Sequence, residues 1–224
     1  MKKSHSREKM RKEAVFFDLD GTLVDSLEDL KDAVNYMLAA FGMSRLESDN
    51  VRALIGKGVK NLVGRALGSE SSETIEKGMR LFLSYNTAHI ADKSRIYPGT
   101  IEMLEELRSA GIRMAVISNK NEALCRLITE SLKIADFFET VCGGDTFDAM
   151  KPSPLPILKV LEKFKLSASA SAIAGDSIND IQAGKLAGVT TFGCRWGYGY
   201  EPELSEADFR MGSWKEFSPI LRLL

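Results

Sequence analysis

Short unbroken apolar runs recur along this chain, each ending in a polar loop, and stretches with helical spacing lie between them. Ala14-Val15-Phe16-Phe17 runs into Asp18-Leu19-Asp20-Gly21, the pattern of a strand buried on both faces that feeds a loop. The pattern returns at Arg113-Met114-Ala115-Val116-Ile117 before Ser118-Asn119-Lys120, at Ser171-Ala172-Ile173-Ala174 before Gly175-Asp176-Ser177, and at Thr190-Thr191-Phe192-Gly193-Cys194 before Arg195. Glu139-Thr140-Val141-Cys142 is a weaker strand candidate. Ile101, Leu104 and Leu107 predict a helix stopped by Gly111, and Ile157, Val160, Leu161 and Phe164 predict another after the prolines that follow Lys151. Strand alternating with helix predicts an α/β fold whose parallel sheet is covered on both faces. In such sheets ligands gather at the carboxyl ends of the strands, where the polar loops named above lie.

Residues 27–93 break the alternation. Leu30, Val34, Met37, Leu38 and Phe41 recur at helical spacing up to Gly42; Val59, Leu62, Val63, Ala66 and Leu67 do so up to Gly68; Ile75, Met79 and Phe82 outline a third helix. The expectation is a helical cap at 27–93, inserted into a catalytic core made of 13–26 and 94–224. Gly56-Lys57-Gly58 follows no strand and lacks the last glycine of a dinucleotide fingerprint. It is either a turn between helices or a cap loop that reaches the substrate. Repeats are absent, and residues 167–171 are a short serine-rich loop.

Composition narrows the function classes. The 224 residues are 44% hydrophobic, enough for a sizeable core, and 30 basic against 31 acidic residues leave a net charge of -1. That balance argues against a nucleic-acid partner and leaves a small charged metabolite compatible. Cys125, Cys142 and Cys194 are odd in number and widely spaced, so they are expected as reduced core thiols. Residues 1–12 are basic and expected to be a frayed tail; the apolar run after them stops at Asp18, too soon for a signal peptide. No run approaches the roughly 20 apolar residues that cross a bilayer, so no membrane association and a cytoplasmic location are expected. Monomer and homodimer both remain open.

The candidate chemistry lies in the loops. Asp18 and Asp20 are two residues apart at a strand end and can face one side. Asp176 and Asp180 follow another strand. Several carboxylates in one crevice drive one another toward protonation unless a cation neutralises them, and Mg2+ suits such oxygen ligands. Asp18 can attack phosphorus, Asp20 can protonate the leaving oxygen and then activate water, Ser118 can hold phosphoryl oxygens, and Lys151 can offset their charge. Asp is common in turns and Asp180 can equally cap a helix, so the case rests on the conjunction.

Phe17-Asp18-Leu19-Asp20-Gly21-Thr22-Leu23, Ser118-Asn119-Lys120, Lys151-Pro152 and Gly175-Asp176-Ser177-Ile178-Asn179-Asp180 resemble, in order, the four motifs of the haloacid dehalogenase superfamily. Val24-Asp25-Ser26, Ile55-Gly56-Lys57-Gly58, Gly143-Gly144-Asp145 and Trp196-Gly197-Tyr198-Gly199-Tyr200 resemble its phosphoglycolate phosphatase group. The resemblance implies a Rossmann-like core with a helical cap and a Mg2+-dependent phosphatase acting on a small phosphorylated metabolite such as 2-phosphoglycolate. It implies Asp18 as nucleophile and Asp20 as acid and base. Mg2+ would be held by Asp18, the Asp20 main-chain carbonyl and Asp176, with Asp180 behind them. Thr22, Ser118, Asn119, Gly56, Lys57 and Gly58 are the candidate substrate contacts.

Rival readings on the same scaffold are a pyrophosphatase, a sugar-phosphate mutase of the β-phosphoglucomutase type, and carbon–halogen or carbon–phosphorus hydrolases. Dehalogenation needs no acid at position 20, whereas a phosphonatase needs a Schiff-base lysine in the cap, for which Lys57 and Lys60 are candidates. A phospho-acceptor signalling domain clusters similar residues but is about half this length and has no cap. His89 is expected on the cap surface and His5 in the tail. The 196–200 segment is expected as core-edge aromatics or as a rim of the site.

Overall fold

This computed structural model describes residues 12–222. Strand β1 (Ala14–Phe17) leads into a short strand β2 (Val24–Asp25), helices α1 (Leu27–Ala40), α2 (Ser48–Arg52), α3 (Gly58–Leu67) and α4 (Ser72–Ala88), and a short strand β3 (Arg95–Ile96). Helix and strand then alternate through α5 (Thr100–Ser109), β4 (Arg113–Ile117), α6 (Glu122–Ser131), β5 (Thr140–Cys142), α7 (Leu155–Phe164) and β6 (Ser171–Gly175). Helix α8 (Ile178–Ala187), β7 (Thr190–Cys194), β8 (Phe209–Met211) and α9 (Phe217–Leu221) complete the chain.

Six strands form one sheet in the order β5-β4-β1-β6-β7-β8, and every pairing in it is parallel. The all-apolar β1 lies inside the sheet, with Ala14 opposite Arg113 on one side and Ser171 on the other. Side chains alternate between faces along a strand, so Val15 and Phe17 join one core cluster with Leu104, Ile128 and Phe217, while Ala14 and Phe16 join another with Ile157, Val160 and Phe164. Both faces are therefore covered, the condition under which a strand reads as continuously apolar. From β1 the chain builds outward through β4 and β5 on one side and through β6, β7 and β8 on the other. The crevice at the carboxyl ends beside β1 is where this arrangement admits a ligand.

Helices α1–α4 own a separate core of Leu30, Val34, Met37, Leu62, Val63, Ile75 and Phe82. An antiparallel ribbon, Val24 opposite Ile96 and Asp25 opposite Arg95, carries the chain out to these helices and back. Buried Asp29 fastens the exit to the return: it accepts from the amides of Lys93 and Ser94 and from Ser94 Oγ. The fold is thus a Rossmann-like parallel-sheet core with an inserted helical cap.

Residues 1–11, with His5 and most of the basic start, lie outside the described residues. Lys12 departs from the expected tail: its side chain is buried, and Nζ donates to the Ser169 carbonyl and to Thr190 Oγ1, both at 2.7 Å. Cys125, Cys142 and Cys194 are buried and free, and burial raises each thiol above its ordinary pKa. His89 lies past the end of α4 and pairs with Asp92 at 2.8 Å, both exposed. No helix among the described residues is long and apolar enough to cross a membrane.

Candidate active site

Asp18, Ser118 and Asp176 each follow the last residue of one of three adjacent strands, β1, β4 and β6, so the sheet itself delivers them to one crevice. Lys151, from the loop between β5 and α7, completes the group. Its ammonium is 3.1 Å from Asp18 Oδ1 and 2.5 Å from Asp180 Oδ1, and donates also to the Ile117 carbonyl. Asp18, Asp176 and Asp180 offer carboxylate oxygens within 4.8 Å of one another. The backbone is moulded around Asp176: a Cβ at Gly21, which has φ +82°, or at Gly197 would collide with its side chain.

Hydrogen bonding separates the three carboxylates. Both oxygens of Asp180 are taken, Oδ1 by Lys151 and Oδ2 by the amide and hydroxyl of Ser177 in a capping box that starts α8. Asp176 Oδ1 accepts from Thr22 Oγ1, and Oδ2 from the amides of Tyr198 and Gly199. Asp18 Oδ1 is buried and has no hydrogen-bond donor; the Lys151 approach is an ion-pair contact. A buried carboxylate oxygen left so is costly unless a ligand completes it. An all-oxygen donor set with one open carboxylate oxygen fits a hard divalent cation.

Burial, partly offset by Lys151 and reinforced by Asp180, pushes the Asp18 carboxyl up to about 6. Burial, then Asp18 and Asp180, pushes Asp176 up to about 7. Burial alone would lower the Lys151 ammonium, but Asp18 and Asp180 more than reverse this and raise it, so the lysine stays charged.

A pH-dependent stability is expected from this. Both carboxyls ionise at 3.8 without the fold, so the folded, metal-free chain holds their protons more tightly. Their contribution is present below that value and lost as pH rises through the folded values, each tenfold difference in proton affinity being worth about 1.4 kcal/mol. In EDTA the melting temperature should therefore fall from about pH 4 to about pH 7, over and above the rest of the protein's titration, and Asp176→Asn should flatten that slope. Magnesium should raise the melting temperature more at pH 8 than at pH 5, because a cation needs ionised carboxylates. Equal magnesium effects at both pH values would contradict this.

Asp20 lies on the same crevice. Its carboxylate accepts from Ser26 Oγ at 2.5 Å and from Lys120 Nζ at 3.1 and 3.2 Å, with both charged side chains largely buried. Neither Lys120 nor Ser26 stands out by sequence, although both fall inside the motif segments; each takes its meaning from the Asp20 carboxylate it meets. Tyr198 is a third such residue. Its amide binds Asp176, and its hydroxyl accepts from the Ser26 amide and donates to Asp25. The 196–200 segment is thus both core edge, through half-buried Trp196, and site rim.

A cavity of about 100 Å3 lies between these loops and the inserted helices. Asp18, Asp20, Ser118, Asn119, Lys151 and Asp176 line it, as do Gly56 and Gly58 from the cap. The Gly56 carbonyl accepts from Asn119 Nδ2 at 2.9 Å and Asn179 Nδ2 at 3.1 Å, so this loop is a helix connection that also touches the core. Two candidates fall elsewhere. Thr22 is buried beside Asp176 and does not line the cavity, and Lys57 lines, with Lys60, an adjoining cavity that shares Gly58 and Asn119 with it. The lysines facing the main cavity are Lys120 and Lys151, both from the core.

Residues 15–194 match the model of the haloacid dehalogenase-like hydrolases. The chain is 40% identical over 207 residues to the phosphoglycolate phosphatase of Neisseria meningitidis serogroup A, covering 90% of this chain and 88% of that protein. A predicted phosphoglycolate phosphatase from Haemophilus somnus 129PT superposes with a TM-score of 0.89 at 30% identity, over 93% of this chain and 97% of that one. CbbY from Rhodobacter sphaeroides, in complex with phosphate, superposes at 0.82 with 25% identity over 92% and 96% of the two chains. With carboxylates, lysine and serine brought to adjacent strand ends beneath a helical insert, and with relatives matched over nearly the whole length, the chain belongs to the haloacid dehalogenase-like hydrolase family.

Proposed function

We propose that this protein is a magnesium-dependent phosphatase that hydrolyses a small organic phosphomonoester, 2-phosphoglycolate or a close analogue, through an aspartyl phosphate on Asp18. The observation that carries the reading is the buried Asp18 oxygen without a hydrogen-bond donor, 3.1 Å from Lys151, on a residue that lines the cavity. A nucleophile needs a lone pair not committed to a donor, and the lack of a hydrogen-bond donor on this oxygen supports that role. The name of the Neisseria relative supports the ester class. The core is assigned to 13–26 and 94–224 and the cap to 27–93, and the three unpaired cysteines favour a reducing, cytoplasmic setting.

Asp18, the Asp20 main-chain carbonyl and Asp176 would hold magnesium, with Asp180 supporting them. Bound there, the ion offsets the like charges of carboxylates and phosphate. Asp18 attacks phosphorus as the ester P–O bond breaks, and the departing oxygen takes a proton from Asp20, leaving as the alcohol. Lys151 and Ser118 hold the phosphoryl oxygens during transfer. Water then attacks phosphorus while Asp20 accepts its proton; the bond to Asp18 breaks, releasing inorganic phosphate and the free carboxylate. The cap excludes bulk water while the alcohol departs. A phosphonatase reading is disfavoured, because Lys57 and Lys60 lie off the cavity.

The test is a screen of 2-phosphoglycolate, phosphosugars, nucleotides and pyrophosphate with magnesium and with EDTA. Turnover of 2-phosphoglycolate that stops in EDTA and returns with magnesium is expected. A clear preference for pyrophosphate or a hexose phosphate would overturn the substrate, and inactivity on every ester would overturn the chemistry.

A further inference from the structure

Six buried polar side-chain atoms among the described residues lack a hydrogen-bond partner, and three of them belong to residues that line the active-site cavity: Asp18 Oδ1, Asn119 Oδ1 and Asn86 Oδ1. The first is the proposed nucleophile. Asn119 is already oriented by its own donations to the Gly56 and Lys151 carbonyls. Asn86 has no such account.

Asn86 sits in the last turn of α4, on the same buried face as Ile75, Gly78 and Phe82, and is 1% exposed. Leu30, Leu62 and Phe82 line the cavity beside it. An amide buried among apolar side chains without a partner weighs against folding, and a leucine there would simply continue the stripe. The orphan Oδ1 can accept from a hydroxyl, and Nδ2 of the same amide can donate to a carboxylate or hydroxyl oxygen, whereas neither gains anything from a hydrocarbon. Asn86 comes from a cap helix, whereas the carboxylates and lysine on the cavity come from the core, so the leaving group and not the phosphoryl group is the part of the substrate it would meet.

We propose that Asn86 is a specificity-determining residue whose side-chain amide hydrogen-bonds an oxygen of the leaving group, selecting phosphomonoesters of hydroxy acids or polyols over those of plain alcohols and phenols. The inference rests on the phosphatase reading above and adds the residue that reads the leaving group.

Wild type, Asn86→Leu and Asn86→Ala are compared on 2-phosphoglycolate and on phenyl phosphate, whose leaving group carries no second oxygen. For Asn86→Leu, kcat/KM on 2-phosphoglycolate should fall about tenfold or more, since a buried hydrogen-bonding group strongly discriminates for its partner. On phenyl phosphate it should stay within about threefold of wild type or rise. The melting temperature should hold or increase, because no hydrogen bond of the fold is lost; a residue needed only for structure would lower it. Asn86→Ala should give the same substrate ratio. An equal fall on both esters, or no change on either, overturns the proposal. If wild type ignores 2-phosphoglycolate but hydrolyses another oxygen-bearing ester from the screen, the substrate assignment fails alone, and the same ratio against phenyl phosphate decides Asn86. Inactivity on every ester overturns both.

Discussion

Asp18→Asn is expected to remove phosphatase turnover almost completely, by about four orders of magnitude or more in kcat, as loss of a covalent nucleophile does elsewhere. Asparagine keeps the shape of the side chain, and the Asp18 amide can still donate to the Ala174 carbonyl, so the loop after β1 should stay in place. What disappears is the anionic lone pair facing phosphorus. The same change removes one of three crowded carboxylates, each of which makes the others harder to ionise. In EDTA at neutral pH the variant should therefore melt no lower than wild type, while its stabilisation by magnesium shrinks. Activity lost without loss of stability separates chemistry from misfolding. A variant that retains more than about a tenth of wild-type kcat would mean that Asp18 does not attack the substrate.

The parts of the fold legible in sequence were those where one local pattern suffices. β1, β4, β6 and β7 are apolar runs with a polar loop after them, and a parallel sheet puts those loops in one crevice whatever the connections between. Other elements carried no such signal. Helix α8 holds Ala183, Gly184 and Ala187 on its buried side, because any Cβ at Gly184 would strike Thr191 and Ile173; small residues give close packing but little periodic contrast. The ribbon of β2 and β3 and the edge strand β8 are two or three residues long, too short for alternation to be seen.

The site divides along the same line. Asp18, Ser118 and Asp176 were readable because position at a strand end is itself the cue. Lys120, Tyr198 and Asn86 were not, since each takes its meaning from a distant partner or from the lack of one. Lys120 meets Asp20 across 100 positions, and the Tyr198 amide reaches Asp176 across 22. Asn86 looks like any polar residue in a helix until the cavity beside it is known. Asp180 caps α8 with one oxygen, one of its two sequence readings, and holds Lys151 with the other, a contact that no local pattern indicated.

Asp20→Asn is expected to lower steady-state kcat by about two to four orders of magnitude, the usual worth of a general acid and base, but to do so differently on two esters. The carboxylate of Asp20 is held by Ser26 and Lys120; the asparagine oxygen can still accept from both at the Oδ1 position, while the Lys120 bond to Oδ2 is lost, so the geometry should largely survive. With 2-phosphoglycolate the leaving alkoxide needs a proton, so the first transfer stalls and no intermediate builds up. With p-nitrophenyl phosphate the phenolate leaves unaided. The first transfer then proceeds, while water, lacking its base, attacks the aspartyl phosphate slowly. Rapid mixing should give a burst of about one p-nitrophenolate per active site, followed by a slow phase, and acid-quenched enzyme should carry phosphate labile to hydroxylamine. In Asp18→Asn the burst should be absent. A linear time course for Asp20→Asn with p-nitrophenyl phosphate, at any enzyme concentration that resolves one turnover, would show that residue 20 does not act after a covalent intermediate and would return the choice to direct attack by water.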